Sequence, residues 1–265
     1  MEQEKKQILL SNDDGIDSPG LWAAAEALSE LGYVTVSAPR DHMSATGRGH
    51  QKDSDGIITK KKLNIKGQEW DVFAVGGSPS QSVTHGVIEL SQRHPDLVVT
   101  GINFGENFGT DITYSGTVGA ALEAASLGIP ALAMSLQLTT EDWDGYPSYV
   151  DFTTAAYFTK YFAKILLETK LPNDVDVLNV VVPVGATFET PWKITKLARM
   201  RYYNPIILRK GEKAEISSHI VDPSKIPPDS DMHTVIIEKK VAVVPISLDL
   251  TSRVSPQQLD DTLRK

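Results

Sequence analysis

Cysteine is absent from the 265 residues of this chain, which removes disulfides, thiolate zinc sites and cysteine nucleophiles together. That absence fits a reducing compartment, and the cytoplasm is the expected location. Long apolar runs are missing too: no stretch approaches the roughly 20 residues a membrane helix needs. The charged opening MEQEKKQ has neither the length nor the order of a signal peptide, so a soluble protein with no membrane partner is expected. Positive charge is in deficit, with 26 Lys and Arg against 34 Asp and Glu and a formal net charge of -8. A general binder of nucleic-acid backbones, which needs a basic surface to displace counterions, is therefore disfavoured, duplexes included. A small anionic ligand at a local site is compatible with this balance. The six histidines show no zinc-like spacing.

What is present is a repeated alternation of strand and helix patterns. Gln7 to Ser11 is a short apolar run of the kind buried on both faces. Ser18-Pro19 is an N-cap followed by proline at the first helical position, and Leu21 to Leu31 reads as a helix stopped by Gly32. Tyr33 to Ala38 alternates with β-branched residues, completing a strand, helix and strand with the length of a βαβ unit. The pattern recurs in Leu97 to Thr100 (strand), Gly116 to Leu127 (helix), Ala131 to Leu136 (strand), Tyr149 to Leu167 (helix) and Val175 to Val182 (strand). Such alternation predicts an α/β fold with a mostly parallel sheet covered by helices on both faces. Ala45 to Lys66 reads as a solvated loop and edge hairpin. From Pro183 onward, prolines punctuate short β-like pieces such as Ile194 to Leu197 and Thr234 to Ile237, with a helix only at Pro256 to Leu263. Residues 1–182 are thus expected to form the core. Residues 183–265 are expected to form an extension, an arm or β-hairpin packing on another subunit, with part returning to the core.

The chemistry gathers where strands end, since ligands of parallel sheets sit at the strands' carboxyl rim beside a topological switch point. Adjacent carboxylates Asp13 and Asp14 follow the first strand in SNDDG, Ser44 follows the second, and Asn103 follows the Leu97 to Thr100 strand in GINFGENFG. Two neighbouring acids at the end of a buried strand repel and resist desolvation unless a cation or donors neutralise them. Together these residues would offer oxygen ligands only, which suits Mg2+ or Mn2+. Read alone, Asp-Asp-Gly is better explained by an N-cap and turn than by a metal site. Ser115-Gly116-Thr117 opens a helix, where free amides and the dipole favour an anion such as phosphate, although the same residues also suit an ordinary N-cap. The glycines of residues 101–109 do not match a dinucleotide fingerprint, and no G-x-x-x-x-G-K-[ST] loop occurs.

Taken together, Leu9 to Ile16 with Pro19-Gly20, Ala38-Pro39 with Ser44, Gly101 to Asn107 and Tyr114 to Val118 resemble the SurE-type survival-protein phosphatases. Weaker matches are Gly77-Ser78-Pro79, Val244-Pro245-Ile246 and Leu248 to Thr251. The resemblance implies a Rossmann-like three-layer core whose C-terminal extension builds a homodimer or homotetramer. It implies hydrolysis of nucleoside 5'- and 3'-monophosphates, with polyphosphate trimmed by some members, and one divalent ion, Mg2+ or Mn2+. Asp13, Asp14, Ser44 and Asn103 are implied as metal ligands, with Asp13, Asp14 and Asn103 catalytic. Ser115, Gly116 and Thr117 would lie near the phosphate, where Ser44 also sits, and Asn12 and Asn107 would be supporting or substrate contacts. Three positions depart from the family pattern: Ala45 for glycine, Gln81 for aspartate and Ser82 for cysteine.

Two other readings stay open on the residues: a nucleotide-binding module that clamps phosphate through the metal without turnover, and a structural oligomer in which the acids are mere caps. A phosphoaspartate mechanism is weak, because Asn12 stands where the first acid of D-x-D-G would be.

Overall fold

A computed structural model describes residues 5–65, 68–139 and 150–264. The start of the Tyr149 to Leu167 helix pattern and the Lys66 end of the loop pattern lie outside the described residues. Eleven strands and five α-helices follow in chain order: β1 Lys6–Ser11, α1 Pro19–Ser29, β2 Gly32–Pro39, β3 Ile58–Ile65, β4 Gln68–Val75, α2 Pro79–His85, β5 Leu97–Phe104, α3 Gly116–Ser126, β6 Ala131–Leu136, α4 Thr153–Glu168, β7 Val177–Val182, β8 Trp192–Ile194, β9 Tyr203–Lys210, β10 Lys213–Ile220, β11 Val241–Ile246 and α5 Pro256–Leu263.

Nine of the strands form one sheet in the order β3-β4-β2-β1-β5-β6-β7-β11-β8. From β4 to β7 all neighbours are parallel, while β3 and β11 join antiparallel to β4 and β7. The expected α/β class with a mostly parallel sheet is what the chain adopts. β1 is fully buried at its end because its pleat feeds both layers: Ile8 and Leu10 pack on the α1 and α4 side, and Leu9 faces α2 and α3. Each such aliphatic side chain contributes roughly 1.5–3 kcal/mol by leaving water. Chain order runs outward from β1 through β2 to β4 and then returns to β5 on the other flank of β1, so the topological switch point lies between β1 and β5.

Some elements differ from their sequence patterns. Gly32 does not stop α1, which ends at Ser29, but opens β2. A β-carbon there would lie 2.4 Å from the Lys6 carbonyl, so the glycine serves close strand approach. The Thr234 to Ile237 run, β-like by composition, forms one wide π turn over His233–Ile237. Ser230 opens it by accepting the His233 N–H and the Thr234 hydroxyl proton, so local capping overrides β-branched propensity.

Beyond residue 182 the chain divides. β8 and β11 extend the main sheet, whereas β9 and β10 pair only with each other, turning through Gly211 at φ 63°. This hairpin stands off the body with Ile207 63% and Ile216 79% exposed. Its base is tied down by two buried carboxylates. Asp111 accepts the N–H groups of Tyr202 and Tyr203 at 2.9 Å each, and Asp231 accepts those of Gly109, Ala198 and Met232 at 2.7, 2.9 and 2.9 Å. Among the described residues no helix is long and apolar enough to cross a membrane.

The rim beside the switch point depends on α1 approaching β5. At Gly20 a β-carbon would stand 2.2 Å from the Ile102 carbonyl oxygen, which leaves no room for any side chain. Gly20→Ala is therefore expected to destabilise the fold by about 1–3 kcal/mol despite alanine's better helix propensity. Urea unfolding checks this; a midpoint equal to or above wild type would show that α1 can shift freely.

Candidate functional site

The site is built from three turns at the carboxyl rim. After β1 the chain bends through Asn12 to Gly15, closed by the Asn12 Nδ2 donating to the Gly15 carbonyl at 3.0 Å, with Gly15 at φ 95°. The turn is laced to the loop after β2: Ile16 N–H donates to Pro39 O and Met43 N–H to Asp13 O, both at 2.8 Å. Neither acid caps α1, whose N-cap position is Ser18. Asp14 reaches across the switch point instead and accepts the Phe104 N–H of β5 at 3.0 Å.

The β5 turn carries Asn103. β5 loses register with β6 between Thr100 and Asn103, and Gly101 adopts φ 123° where a β-carbon would lie 2.3 Å from the Met134 carbonyl. Asn103 donates from Nδ2 to Gly105 O at 2.6 Å, which turns Oδ1 toward α3.

The third turn is the start of α3. Ser115 is its N-cap, accepting the Val118 N–H at 3.1 Å, so the capping role is present. Gly116 faces Asp13: a β-carbon there would come within 2.6 Å of Asp13 Cβ and 2.8 Å of its Oδ2. Only glycine lets the carboxylate sit against the positive end of the helix. The Thr117 hydroxyl, fully buried, faces two oxygens at once, Asp13 Oδ1 at short range and Asn103 Oδ1 at 3.1 Å. Asp13 is 4% exposed, and burial pushes its carboxyl above the usual range, against the lowering pull of Thr117 and the field of His42.

Asp13, Asn103 and Thr117 thus share one hydrogen-bond cluster, and Asp14 joins it through the backbone of β5. Ser44 stands outside this cluster. It is exposed in the loop after β2, its hydroxyl in short contact with His42 Nε2, next to Ala45 at φ 60°, a region that favours glycine. Asn12 lies beside the cluster with its Oδ1 buried and unpartnered. Asn107 points elsewhere: its side-chain amide donates to the Ser135 hydroxyl at 2.9 Å, and its backbone carbonyl accepts from the Asn179 side chain at 3.1 Å.

Beside Asp14 opens a cleft of ≈ 310 Å³ whose walls include Asp14, Asp17, Ser18, Arg40 and His42. Arg40 was not singled out by sequence reasoning; its only signal is its position directly after a predicted strand. Glu106, nearly buried, accepts the Tyr203 hydroxyl proton at 2.8 Å and braces the loop that follows Asn103 against the hairpin base. Burial pushes its carboxyl above the usual range. It too gave no signal, because its partner lies 97 residues away.

Two features fit a cation. The atoms that Asp13, Asp14, Asn103 and Thr117 turn toward one another or across the switch point are oxygens, the donor type of Mg2+ and Mn2+. A hydroxyl carries a single proton, yet two acceptor oxygens face that of Thr117, so at any moment one of them meets a lone pair rather than a donor. A cation between these oxygens would relieve that mismatch.

Comparisons with known proteins bear on the family and the fold. Residues 8–204 match the family model described as survival protein SurE. A protein of Thermococcus gammatolerans named 5'-nucleotidase SurE is 40% identical over 259 residues, covering 97% of this chain and 96% of its own length. One of the same name from Methanocella arvoryzae is 38% identical, covering 97% and 98%. The crystal structure of the SurE protein from Aquifex aeolicus matches with a TM-score of 0.76 at 29% identity, covering 98% of this chain and all of that one. With most of its length matched by the family model and these relatives aligned almost end to end, the chain belongs to the survival protein SurE family.

Proposed function

We propose that this chain is a divalent-metal-dependent phosphomonoesterase that hydrolyses nucleoside monophosphates to nucleoside and phosphate. The observation that carries the reading is the convergence of Asp13 Oδ1 and Asn103 Oδ1 on one hydroxyl at a helix N-terminus beside an open cleft. The name 5'-nucleotidase SurE borne by the relatives supports the substrate class and the assignment as a hydrolase.

Asp13, Asp14, Asn103 and Ser44 would hold the ion, Ser44 once its hydroxyl leaves His42 and turns to the cluster. A bound divalent ion supplies positive charge against the phosphoryl oxygens and lowers the pKa of water. The chain's own groups do the rest. Asp13 and Asp14 are acceptors and orient donors; Asn103, held by Gly105, keeps its Oδ1 inward. The start of α3 presents Ser115, Gly116 and Thr117 to the remaining phosphate oxygens, where amides and the dipole favour negative charge. Gly15 and Gly116 keep the walls close enough for these groups to act on one phosphate. Asn12 lies one residue from Asp13 and would support it, while Asn107 would brace the turn through Ser135 rather than touch substrate.

Activity on 3'-monophosphates, trimming of polyphosphate, the choice of Mg2+ or Mn2+ and a cytoplasmic location belong to the same proposal. So does the division into a catalytic core over 1–182 and an extension over 183–265, with the β9–β10 hairpin as the contact of a homodimer or homotetramer. Its exposed Ile207 and Ile216 support that use of the hairpin.

The test is phosphate release from AMP by metal-stripped protein before and after adding Mg2+ or Mn2+; release restored by metal is expected, and AMP binding without release would favour the binding module instead. Asp13→Asn is expected to weaken Mn2+ binding by calorimetry at least about tenfold and to lower turnover with it. Because the buried charge is removed, its melting temperature in chelator should stay at or above wild type. Unchanged Mn2+ affinity would remove Asp13 from the site.

Gly116→Ala gives a second, independent check. On propensity alone it should stabilise α3 by up to about 1 kcal/mol, but its methyl would collide with Asp13. Mn2+ affinity is expected to fall as far as in Asp13→Asn; a more stable protein with wild-type affinity would show that Asp13 needs no contact with α3.

A further inference from the structure

The cleft beside Asp14 has one wall that the phosphoryl chemistry does not use. Arg40 follows β2 directly, and its backbone N–H donates to the Val75 carbonyl of β4 at 2.7 Å. Its guanidinium is held on its edges. Nη1 and Nη2 both lie 3.1 Å from Asp55 Oδ2, and Nε lies 3.2 Å from Asp41 Oδ2. Asp55 is fixed in turn, since its Oδ1 accepts the Ile57 N–H at 2.9 Å. The arrangement is also built into the backbone: a β-carbon at Gly76 would fall 1.8 Å from Asp55 Oδ1 and 3.2 Å from Arg40 Nη1, so only glycine there lets the pair dock at the end of β4.

Each guanidinium nitrogen therefore gives one of its N–H groups to a carboxylate, and two acidic side chains, at the protein surface like Arg40 itself, compensate the charge. An arginine meant to clamp phosphate presents its N–H fork to the anion; here the fork is spent on Asp41 and Asp55. With the end-on fork on Asp55 and Nε on Asp41, what remains for the cleft is the planar face, with one N–H on each Nη at its edge; that face stacks on π-systems and is more weakly hydrated than an ammonium. The cleft volume of ≈ 310 Å³ falls at the lower end of the roughly 300–1,000 Å³ usual for small-molecule sites. A phosphate at the Asp13 and Thr117 cluster leaves the organic part of its ester to extend into this space.

We propose that Arg40 determines specificity by stacking its guanidinium face on the nucleobase, held in place by Asp55 and the glycine at position 76. This rests on the nucleotidase reading for the identity of the ligand. It assigns recognition of the leaving group to Arg40, at the start of the loop that further on carries Ser44.

The probes are adenosine, which carries the base without phosphate, and ribose 5-phosphate, which carries phosphate without base. Binding of each is measured by calorimetry in Mn2+ to wild type, Arg40→Ala, Arg40→Lys and Arg40→Tyr. Adenosine is expected to bind about tenfold more weakly to Arg40→Ala and as weakly to Arg40→Lys, which keeps the charge and loses the plane. Arg40→Tyr should stay within about threefold of wild type. Ribose 5-phosphate should move less than about twofold across the set, as expected of a group that does not touch the phosphate. Absence of adenosine binding to wild type, unchanged binding to Arg40→Ala, or wild-type binding to Arg40→Lys would overturn the proposal. Failure of the nucleotidase reading is a separate result, read as no phosphate release from AMP while adenosine binding still follows Arg40.

Discussion

The packing of the Asp13 carboxylate against the first turn of α3 is the constraint on which the rest of the site depends. A buried acid is costly by itself. Here the helix end, the Thr117 hydroxyl and the absence of a side chain at Gly116 offset that cost, while burial pushes the carboxyl above its usual range. On the proposed reading, a cation would supply the positive charge that these buried oxygens favour. If Asp13 serves the proposed site, stability and function oppose each other at this point, as is common where charge is held in readiness.

The surrounding fold reads as support for that contact. β1 delivers Asp13 from the centre of the sheet, where burial on both faces fixes the strand end. β5 delivers Asn103 from the adjacent strand across the switch point. Gly20 lets α1 close onto β5, and Gly101 lets the β5 turn close onto β6. Asp111, Asp231 and Glu106 then tie the loop after β5 to segments near residues 200 and 230. The C-terminal part of the chain is thereby coupled to the rim, so the standing of the β9–β10 hairpin bears on the loop that follows Asn103.

Much of this was legible in the sequence, and for identifiable reasons. β6 lies where its apolar run is, at Ala131 to Leu136, and α5 where Pro256 and its capping serine put it. Those signals are local, carried by periodicity and capping. Asp13, Asn103 and Thr117 were likewise findable because parallel strands bring their ends to one rim. The readings that failed or were missing depend on distant partners. Gly32 looks like a helix stop until Lys6 is seen against it. Thr234 to Ile237 looks like a strand until Ser230 claims its N–H and hydroxyl groups. Asp55 and Gly76 have no pattern that links them to Arg40, because their pairing exists only once the β2 and β4 ends lie side by side. Ser44 is the intermediate case, placed on the expected loop but turned to His42.

The central claim, that the oxygens gathered by β1, β5 and α3 form a divalent-metal site, is tested most directly by anomalous diffraction from crystals of the protein grown with Mn2+. The account predicts one strong peak bounded by side-chain oxygens of Asp13, Asp14 and Asn103, with the Ser44 loop drawn toward it. A peak elsewhere on the molecule, with Thr117 still bridging Asp13 and Asn103, would contradict it.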